Sequence, residues 1–418
     1  MSVYLLATLD TKAVEAFFLR DLLRQLGAAV TVVDCGCLGD SATAGDVSRE
    51  AVFAAAGTTL AEIRSRGDRG AAVNAAAAGA ARLVREAYDR GGVDGVIGLG
   101  GSAGTTIGTA AMRALPIGVP KLMVSTLASG QVRPWVADKD ICMLNSVVDL
   151  AGINRISRAV LSQAAAAMAG MVRCRERPLW RSEGRPDRPL IAATMFGVTT
   201  PCVQHARGIL EAAGYEVLVF HATGNGGQAM ESLIREGLIA GVLDITTTEL
   251  ADELVGGILS AGPARLTAAG DMGIPQVVSV GALDMVNFGP RETVPAKFAK
   301  RKFHVHNASV TLMRTTPAEN ALLGAEIARK LTAAKGPAAI ILPLQGLSAI
   351  DRAGQPFDDP RARAALYDAI RIERGGVELI ELDQHINDVA FATAAAQKLL
   401  SLIRSVKRES VASDVLER

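Results

Sequence analysis

Three short stretches carry the residue types best suited to chemistry. The stretch Gly98-Leu-Gly-Gly-Ser-Ala-Gly-Thr-Thr106 sets Gly100, Gly101 and Gly104 among the hydroxyls of Ser102, Thr105 and Thr106. Glycines let a backbone approach an anion closely. A helix starting here turns its free N–H groups and positive dipole end toward a phosphate. The stretch is neither of two familiar phosphate loops: no Lys-Ser/Thr follows the glycines, and Ala103 fits the dinucleotide spacing only loosely. It does contain Gly-Gly-Ser-Ala-Gly, the spacing of a nucleophile elbow, with His304 or His385 downstream. Threonines crowd that turn, so a nucleophilic Ser102 is the weaker reading. A plain glycine-rich strand-to-helix turn is the alternative to both.

The second stretch is Thr8-Leu-Asp-Thr-Lys12. Lys12 can give a point charge to the same anion, and Asp10 can orient Mg²⁺ or a hydroxyl. Thr11 alternatively serves as a helix N-cap beside solvated charges. The third is Ser125-Thr-Leu-Ala-Ser-Gly130, where Ser125, Thr126 and Ser129 are ligand hydroxyls or simple turn formers.

The second half holds all five histidines: His205, His221, His304, His306 and His385. His304 and His306 share one face of a strand, and His385 follows another strand in Leu-Asp-Gln-His-Ile-Asn-Asp. With His221 at a strand end they form a candidate acid–base cluster, and Glu249 or Asp252 in Thr-Thr-Thr-Glu-Leu-Ala-Asp is expected to face the same cleft. A polar substrate pocket is favoured there over a metal, so no metal site is assigned. Singly satisfied polar residues are the plain alternative. Arg314 pairs either with a substrate carboxylate or in an exposed ion pair.

These stretches need elements to hold them. Short apolar runs at Val3–Ala7, Ala29–Val33, Val93–Leu99 and Gly118–Ser125 read as buried strands. Helical spacing runs over Thr11–Leu26 and near Ala103–Ala114 between them. Alternating strands and helices predict parallel βαβ units, whose ligands lie outside the carboxyl ends of the strands. The Ala-rich segments 71–81 and 164–169 read as packed helices.

The layout then recurs. The run from Leu5 to Gly36 matches that from Leu190 to Gly224 in order of strand, threonine, turn, helix, glycine and strand. GVIGLGGSAGTTIG matches GVLDITTTELADELVGG, and GVPKLMVSTLASG matches GIPQVVSVGALDM. The expected fold is α/β, two Rossmann-like doubly wound parallel-sheet domains with the marks of a divergent internal duplication. Six arginines and three prolines crowd residues 173–189 and mark the boundary. The domains are therefore 1–175 and 189–405, joined by a linker at 176–188. Beyond the matched landmarks, Lys302–Met313 reads as a strand entering a turn, and Ala318–Leu331 as a helix. Ala338–Leu344 and Val377–Leu382 read as strands, Asn387–Arg404 as a C-terminal helix, and the last dozen residues as frayed.

Composition narrows the function. The 44 Lys+Arg nearly cancel 43 Asp+Glu, and aromatic residues are 4%, which argues against a nucleic-acid surface. With 49% hydrophobic residues the 418-residue chain has material for full-sized cores. Cys35, Cys37, Cys142, Cys174 and Cys202 are odd in number and lack zinc spacing, so reduced thiols and a cytoplasmic location are expected. The opening MSVYLLATLDTK lacks a basic region and a cleavage site, so no secretory leader is expected. No run reaches the ~20 apolar residues of a membrane span.

Taken together, ATLDTK, GLGGSAGTT, STLASG, HNASVTLMRTT and ELDQHINDVAFA resemble the uncharacterised family of Tm-1-like ATP-binding proteins, which includes the N-terminal region of the tomato mosaic virus resistance protein. The resemblance spans about 3 to 405. It implies two Rossmann-like domains, ATP in the first, and a homo-oligomer. Carried over residue by residue, it places nucleotide contacts on Asp10, Thr11, Lys12, Gly100, Gly101, Ser102, Thr105, Thr106, Ser125 and Thr126. Mg²⁺ accompanies the ATP in this reading. The plant relative's viral partner is not carried over. The candidate acid–base residues are His304, His306, His385 and Glu249. The expected function is an ATP-binding cytoplasmic protein, with chemistry on a small polar or carboxylate metabolite in the interdomain cleft. The alternatives are a non-catalytic nucleotide-binding interaction module and an enzyme for a phosphorylated substrate.

Overall fold

The computed structural model describes residues 1–37, 39, 41, 43–176 and 187–416. The chain divides into two compact units, Met1–Arg185 and Pro186–Arg418. Most of the expected linker, 177–186, lies outside the described residues.

In the first unit the elements run β1 Ser2–Ala7, α1 Leu9–Gln25, β2 Ala29–Asp34, α2 Arg49–Ala55, α3 Leu60–Arg66 and α4 Arg69–Asp89. They continue with β3 Gly95–Gly100, α5 Ser102–Arg113, β4 Lys121–Ser125, α6 Arg133–Val136, β5 Cys142–Asn145 and α7 Arg155–Glu176. All strands pair in parallel in the order β2-β1-β3-β4-β5. Every residue of β3 and β4 is buried, because helices cover both faces. On one face Val52, Phe53, Ala76, Ala80, Ile107 and Met112 form the core. On the other, Leu19 and Leu23 of α1 meet Leu161, Ala164, Ala165 and Met168 of α7. The Ala-rich segments are thus packed helices. Gly79 shows why they are small: a Cβ there would lie 1.8 Å from the Val52 carbonyl oxygen.

The second unit begins β6 Leu190–Met195, α8 Thr200–Ala212, β7 Glu216–His221, α9 Asn225–Arg235, β8 Ile239–Thr246, α10 Thr248–Val255, α11 Ala268–Asp271 and β9 Gln276–Gly281. Three strands follow, β10 Met285–Phe288, β11 Phe303–Asn307 and β12 Val310–Arg314. The unit ends with α12 Pro317–Thr332, β13 Ala338–Pro343, α13 Pro360–Glu373, β14 Glu378–Leu382 and α14 Val389–Leu416. The main sheet is parallel, ordered β14-β13-β9-β8-β6-β7, and a separate antiparallel sheet is ordered β10-β12-β11. Read from the other edge, β7-β6-β8-β9-β13 repeats the first unit's order, and the expectation of two parallel-sheet α/β domains holds.

Three local readings differ. Lys302–Met313 is a hairpin of β11 and β12, not one strand entering a turn. The C-terminal helix runs on to Leu416 instead of stopping near Arg404. Its window Val389–Val406 is long and apolar enough by composition to cross a membrane, contrary to the sequence reading. Phe391, Ala395, Ala396, Leu399 and Ile403 of that window pack into the second unit's core.

Candidate functional site

The first sheet changes direction of growth between β1 and β3. That is the topological switch point, where an open α/β sheet leaves a crevice at its carboxyl edge. The loop after β3 enters it. Two of its glycines are required by the turn itself. Gly100 has φ +156°, and a Cβ there would sit 2.8 Å from the Gly104 Cα. A Cβ on Gly104 would sit 2.9 Å from the Leu99 carbonyl oxygen. Gly101 is different: its Cβ would meet only the Thr126 hydroxyl, at 3.7 Å. The turn does not need a glycine there, and its bareness leaves the helix start open.

Gly101 is the N-cap of α5 and no side chain caps the helix. The first helical bond runs from the Thr105 N–H to the Gly101 carbonyl at 2.8 Å. The N–H groups of Ser102, Ala103 and Gly104 find no acceptor among the described residues. Free N–H groups at a helix start draw an anion.

The start of α1 is already supplied with carboxylate. Its N-cap is Thr8 rather than Thr11, and the Leu9 N–H donates to Asp34 Oδ1 at 3.1 Å. Asp10 lies in the same first turn, and its Oδ2 accepts from the Gly39 N–H at 3.2 Å. Thr11 hydrogen-bonds the Thr8 hydroxyl at 3.0 Å. Lys12 leaves helical geometry (φ −128°, ψ 20°) and donates from Nζ to the Leu150 carbonyl after β5. That bond uses one of its three ammonium donors.

The structure brings the second and third stretches together. The Thr126 N–H donates to the Gly100 carbonyl at 3.3 Å. The hydroxyls of Thr105 and Ser125 lie 2.7 Å apart, and the Ser125 oxygen also accepts the Leu127 N–H at 2.9 Å. Both residues are fully buried, and their hydroxyls join the two loops. Thr106 returns its hydroxyl to the Ser102 carbonyl, an ordinary helical back-bond of 2.9 Å. Thr8 and Gly104 line one crevice with Cys35, so the first stretch borders the same switch point.

Sequence reading missed Asp34, at the carboxyl end of β2. It accepts the Leu9 and Gly36 N–H groups on Oδ1 and the Arg49 Nε, at 2.9 Å, on Oδ2. An acid closing an apolar strand was the visible signal, but its arginine partner belongs to another element.

In the second unit the candidate acid–base residues do not assemble. Glu249, expected to face a cleft, is fully buried. Its Oε1 accepts the N–H groups of Gly224 (2.7 Å) and Gly227 (3.0 Å), and its Oε2 takes Arg265 Nε at 2.7 Å. Burial pushes its carboxyl up, against the pull of Arg265. Arg265 also grips both oxygens of Asp244, at 2.6 and 2.7 Å. This buried network occupies the end of β8, in the place where the first unit presents bare N–H groups.

His385 is buried, and both ring nitrogens are engaged. Nδ1 accepts the Asn387 N–H at 3.1 Å, which leaves Nε2 to donate to the Ser348 carbonyl at 2.8 Å. His304 packs edge-on against Phe357, while His306 is exposed on β11. His221 stacks on Phe196 at 5.4 Å between centroids. Among the described residues no three His, Cys, Asp or Glu side chains are placed to hold a metal ion. Arg314, expected at a substrate or in an exposed ion pair, is buried: it pairs with Asp351 at 3.2 Å and donates to the Phe357 carbonyl.

Sequence models of the uncharacterised protein family UPF0261 match both units, the N-terminal domain over residues 1–177 and the C-terminal domain over 188–403. A UPF0261 protein of Clostridium tetani is 49% identical over 96% of this chain and 98% of its own length. The tomato (Solanum lycopersicum) ToMV resistance protein Tm-1(GCR237) is 47% identical over 76% of this chain but only 42% of its own. Among solved structures, the Streptomyces sp. SF2575 glycosyltransferase SsfS6 aligns over 98% of this chain and 99% of its own, at 14% identity. With a TM-score of 0.20, that alignment adds nothing to the fold described above. The two family matches, end to end along both units, make the chain a member of the UPF0261 family, to which the Tm-1 proteins of tomato are related.

Proposed function

We propose that the first unit is a nucleotide-binding domain and that the phosphates of ATP, with Mg²⁺, sit at the start of α5. The observation that carries this reading is the open helix start: Gly101 without a Cβ, beside three N–H groups without acceptors among the described residues, at the sheet's switch point. Asp10, in the first turn of the neighbouring helix, is the carboxylate suited to a Mg²⁺ counter-ion. Thr126 and Ser102 supply hydroxyls beside the helix start. The loop braces, Thr105 and Ser125, hold the cradle rather than the ligand.

Between an enzyme and a binding module, the commitments of His385 and Glu249 favour the module. Both were candidates for acid–base work, and both have their polar atoms engaged in holding loops. In this reading nucleotide occupancy stabilises the first unit, and turnover is not required. A cytoplasmic location and a homo-oligomeric state belong to the same proposal, the former resting on five free thiols.

Calorimetric titration with Mg-ATP, beside AMP and inorganic phosphate, tests the assignment. ATP should bind and AMP should not. Gly101→Ala adds a methyl that the fold accommodates, and Gly101→Val adds two more carbons at the open start. Gly101→Val should fold normally and lose ATP affinity by at least about tenfold, or 1.4 kcal/mol. Unchanged affinity in Gly101→Val removes the α5 site.

A further inference from the structure

A second set of buried ionisable groups lies where β9 and β13 end. Asp284, Ser348 and Asp351 are each fully buried. Asp351 is well supplied: it faces Arg314 Nη2 at 3.2 Å and Arg363 Nη1 at 2.9 Å, and accepts the Leu347 N–H at 3.1 Å. The Asp284 carboxyl is poorly supplied. Among the described residues the Ser348 hydroxyl donates to its Oδ2 at 2.9 Å, and its Oδ1 has no hydrogen-bond partner. Arg314, the nearest cation, gives Nη1 to the backbone carbonyl of Asp284 and not to its carboxylate. A buried carboxylate needs a cation or several donors to stay ionised, and this one has only neutral donors, the Ser348 hydroxyl and its own backbone N–H.

The same residues fasten the loop that follows β13. The Leu347 N–H is held by Asp351, the Ser348 hydroxyl by Asp284, and the Ser348 carbonyl by His385 Nε2. The Phe357 carbonyl is held by Arg314. The Ala282 N–H reaches the Leu347 carbonyl at 3.0 Å, so the loop is drawn over the end of β9.

We infer that Asp284 is a neutral carboxylic acid in the closed fold and that its ionisation releases the loop 344–357, which makes this corner of the second unit a proton-operated clasp. Burial pushes the Asp284 carboxyl up to about 7, helped by the charge of Asp351 and opposed by Arg314 and Ser348. The groups around it come from every neighbouring element: Arg314 from β12, Asp351 from the loop, Arg363 and Tyr367 from α13, and His385 after β14. Asp358 completes the set on Arg363. A carboxyl raised in the closed state holds its proton there and loses it on opening. The closed form is therefore fully favoured below the ordinary carboxylate range, weakens as pH rises toward 7, and changes no further above it.

Hydrogen exchange of residues 344–358 in the full chain, corrected for the intrinsic rate at each pH, reads this directly. Opening should rise about tenfold per pH unit between pH 5 and 7 and level off above. Asp284→Asn keeps the shape of the neutral acid and should exchange slowly, with no such slope. A flat wild-type profile, or an unchanged slope in Asp284→Asn, overturns the clasp. Should Asp284→Asn fail to fold, Ser348→Ala gives a second reading. It removes the side-chain donor to the ionised form, so the levelling point should move to higher pH. Faster exchange at every pH with the levelling point unmoved marks a merely structural serine and overturns the inference.

Discussion

At the scale of single residues, the second unit depends on one guanidinium. Arg265 is fully buried and neutralises Asp244 and Glu249 at 2.6–2.7 Å. Arg265→Met fills the volume but strands two carboxylates, a loss of about 3–5 kcal/mol. Urea unfolding at pH 7.5 should show a correspondingly lowered midpoint. The deficit should shrink on acidification, because Glu249, already pushed up by burial, takes a proton more readily in the fold than in the unfolded chain. A deficit independent of pH would mean that packing, not charge, is what Arg265 supplies. The sequence could not show this pairing. Glu249 and Arg265 stand 16 residues apart with no shared period, and only the fold brings them together. The partners of Arg314 and His385 were hidden for the same reason, since they come from residues far along the chain. The glycine loop was legible because its constraints are local: Gly100 and Gly104 clash within one turn if they carry a Cβ.

At the scale of elements, strands were easier to read than the starts of helices. The buried parallel strands are continuous apolar runs, and their ends fall within a few residues of the expected ones. Helix starts depend on what caps them, and several caps arrive from far away. The N-terminus of α9 is held by Glu249 through the Gly224 and Gly227 N–H groups. This makes Gly227 a contact residue in all but name: a Cβ there would lie 2.2 Å from Glu249 Oε2. Gly227→Ala should therefore cost about 1–3 kcal/mol although alanine is the better helix former. A thermal melt decides it, because a neutral or raised Tm would show that Glu249 can swing aside without loss. The antiparallel strands of the second unit were the least legible. β10 is four residues long, and β11 has a register shift between Val305 and Asn307 that blurs its alternation.

At the scale of the whole molecule, the recurring sequence landmarks correspond to a recurring strand order, but the two copies place different side chains at the same position. After β3 the chain offers glycine and bare N–H groups. After β8 it offers Thr247, Thr248 and the buried acids Glu249 and Asp252, with burial pushing Asp252 up to about 7. At the second position Glu249 and Asp244 are already paired with Arg265, and the start of α9 is already held by Glu249. Under the proposed nucleotide site at the start of α5, ligand effects should be one-sided, because the end of β8 carries the Arg265 network instead. At a hundred times its Kd, a ligand bound only to the folded form adds about 2.7 kcal/mol of stability. Hydrogen exchange with and without Mg-ATP should place that protection on the loop after β3, on α5 and on the loop after β4. The amides of β8 and α10 should exchange at the same rate in both conditions. Protection centred on β8 and α10 instead would mean that an incoming anion displaces Glu249. The bare start of α5 would then be turn chemistry, and the second unit would be the one that takes a ligand.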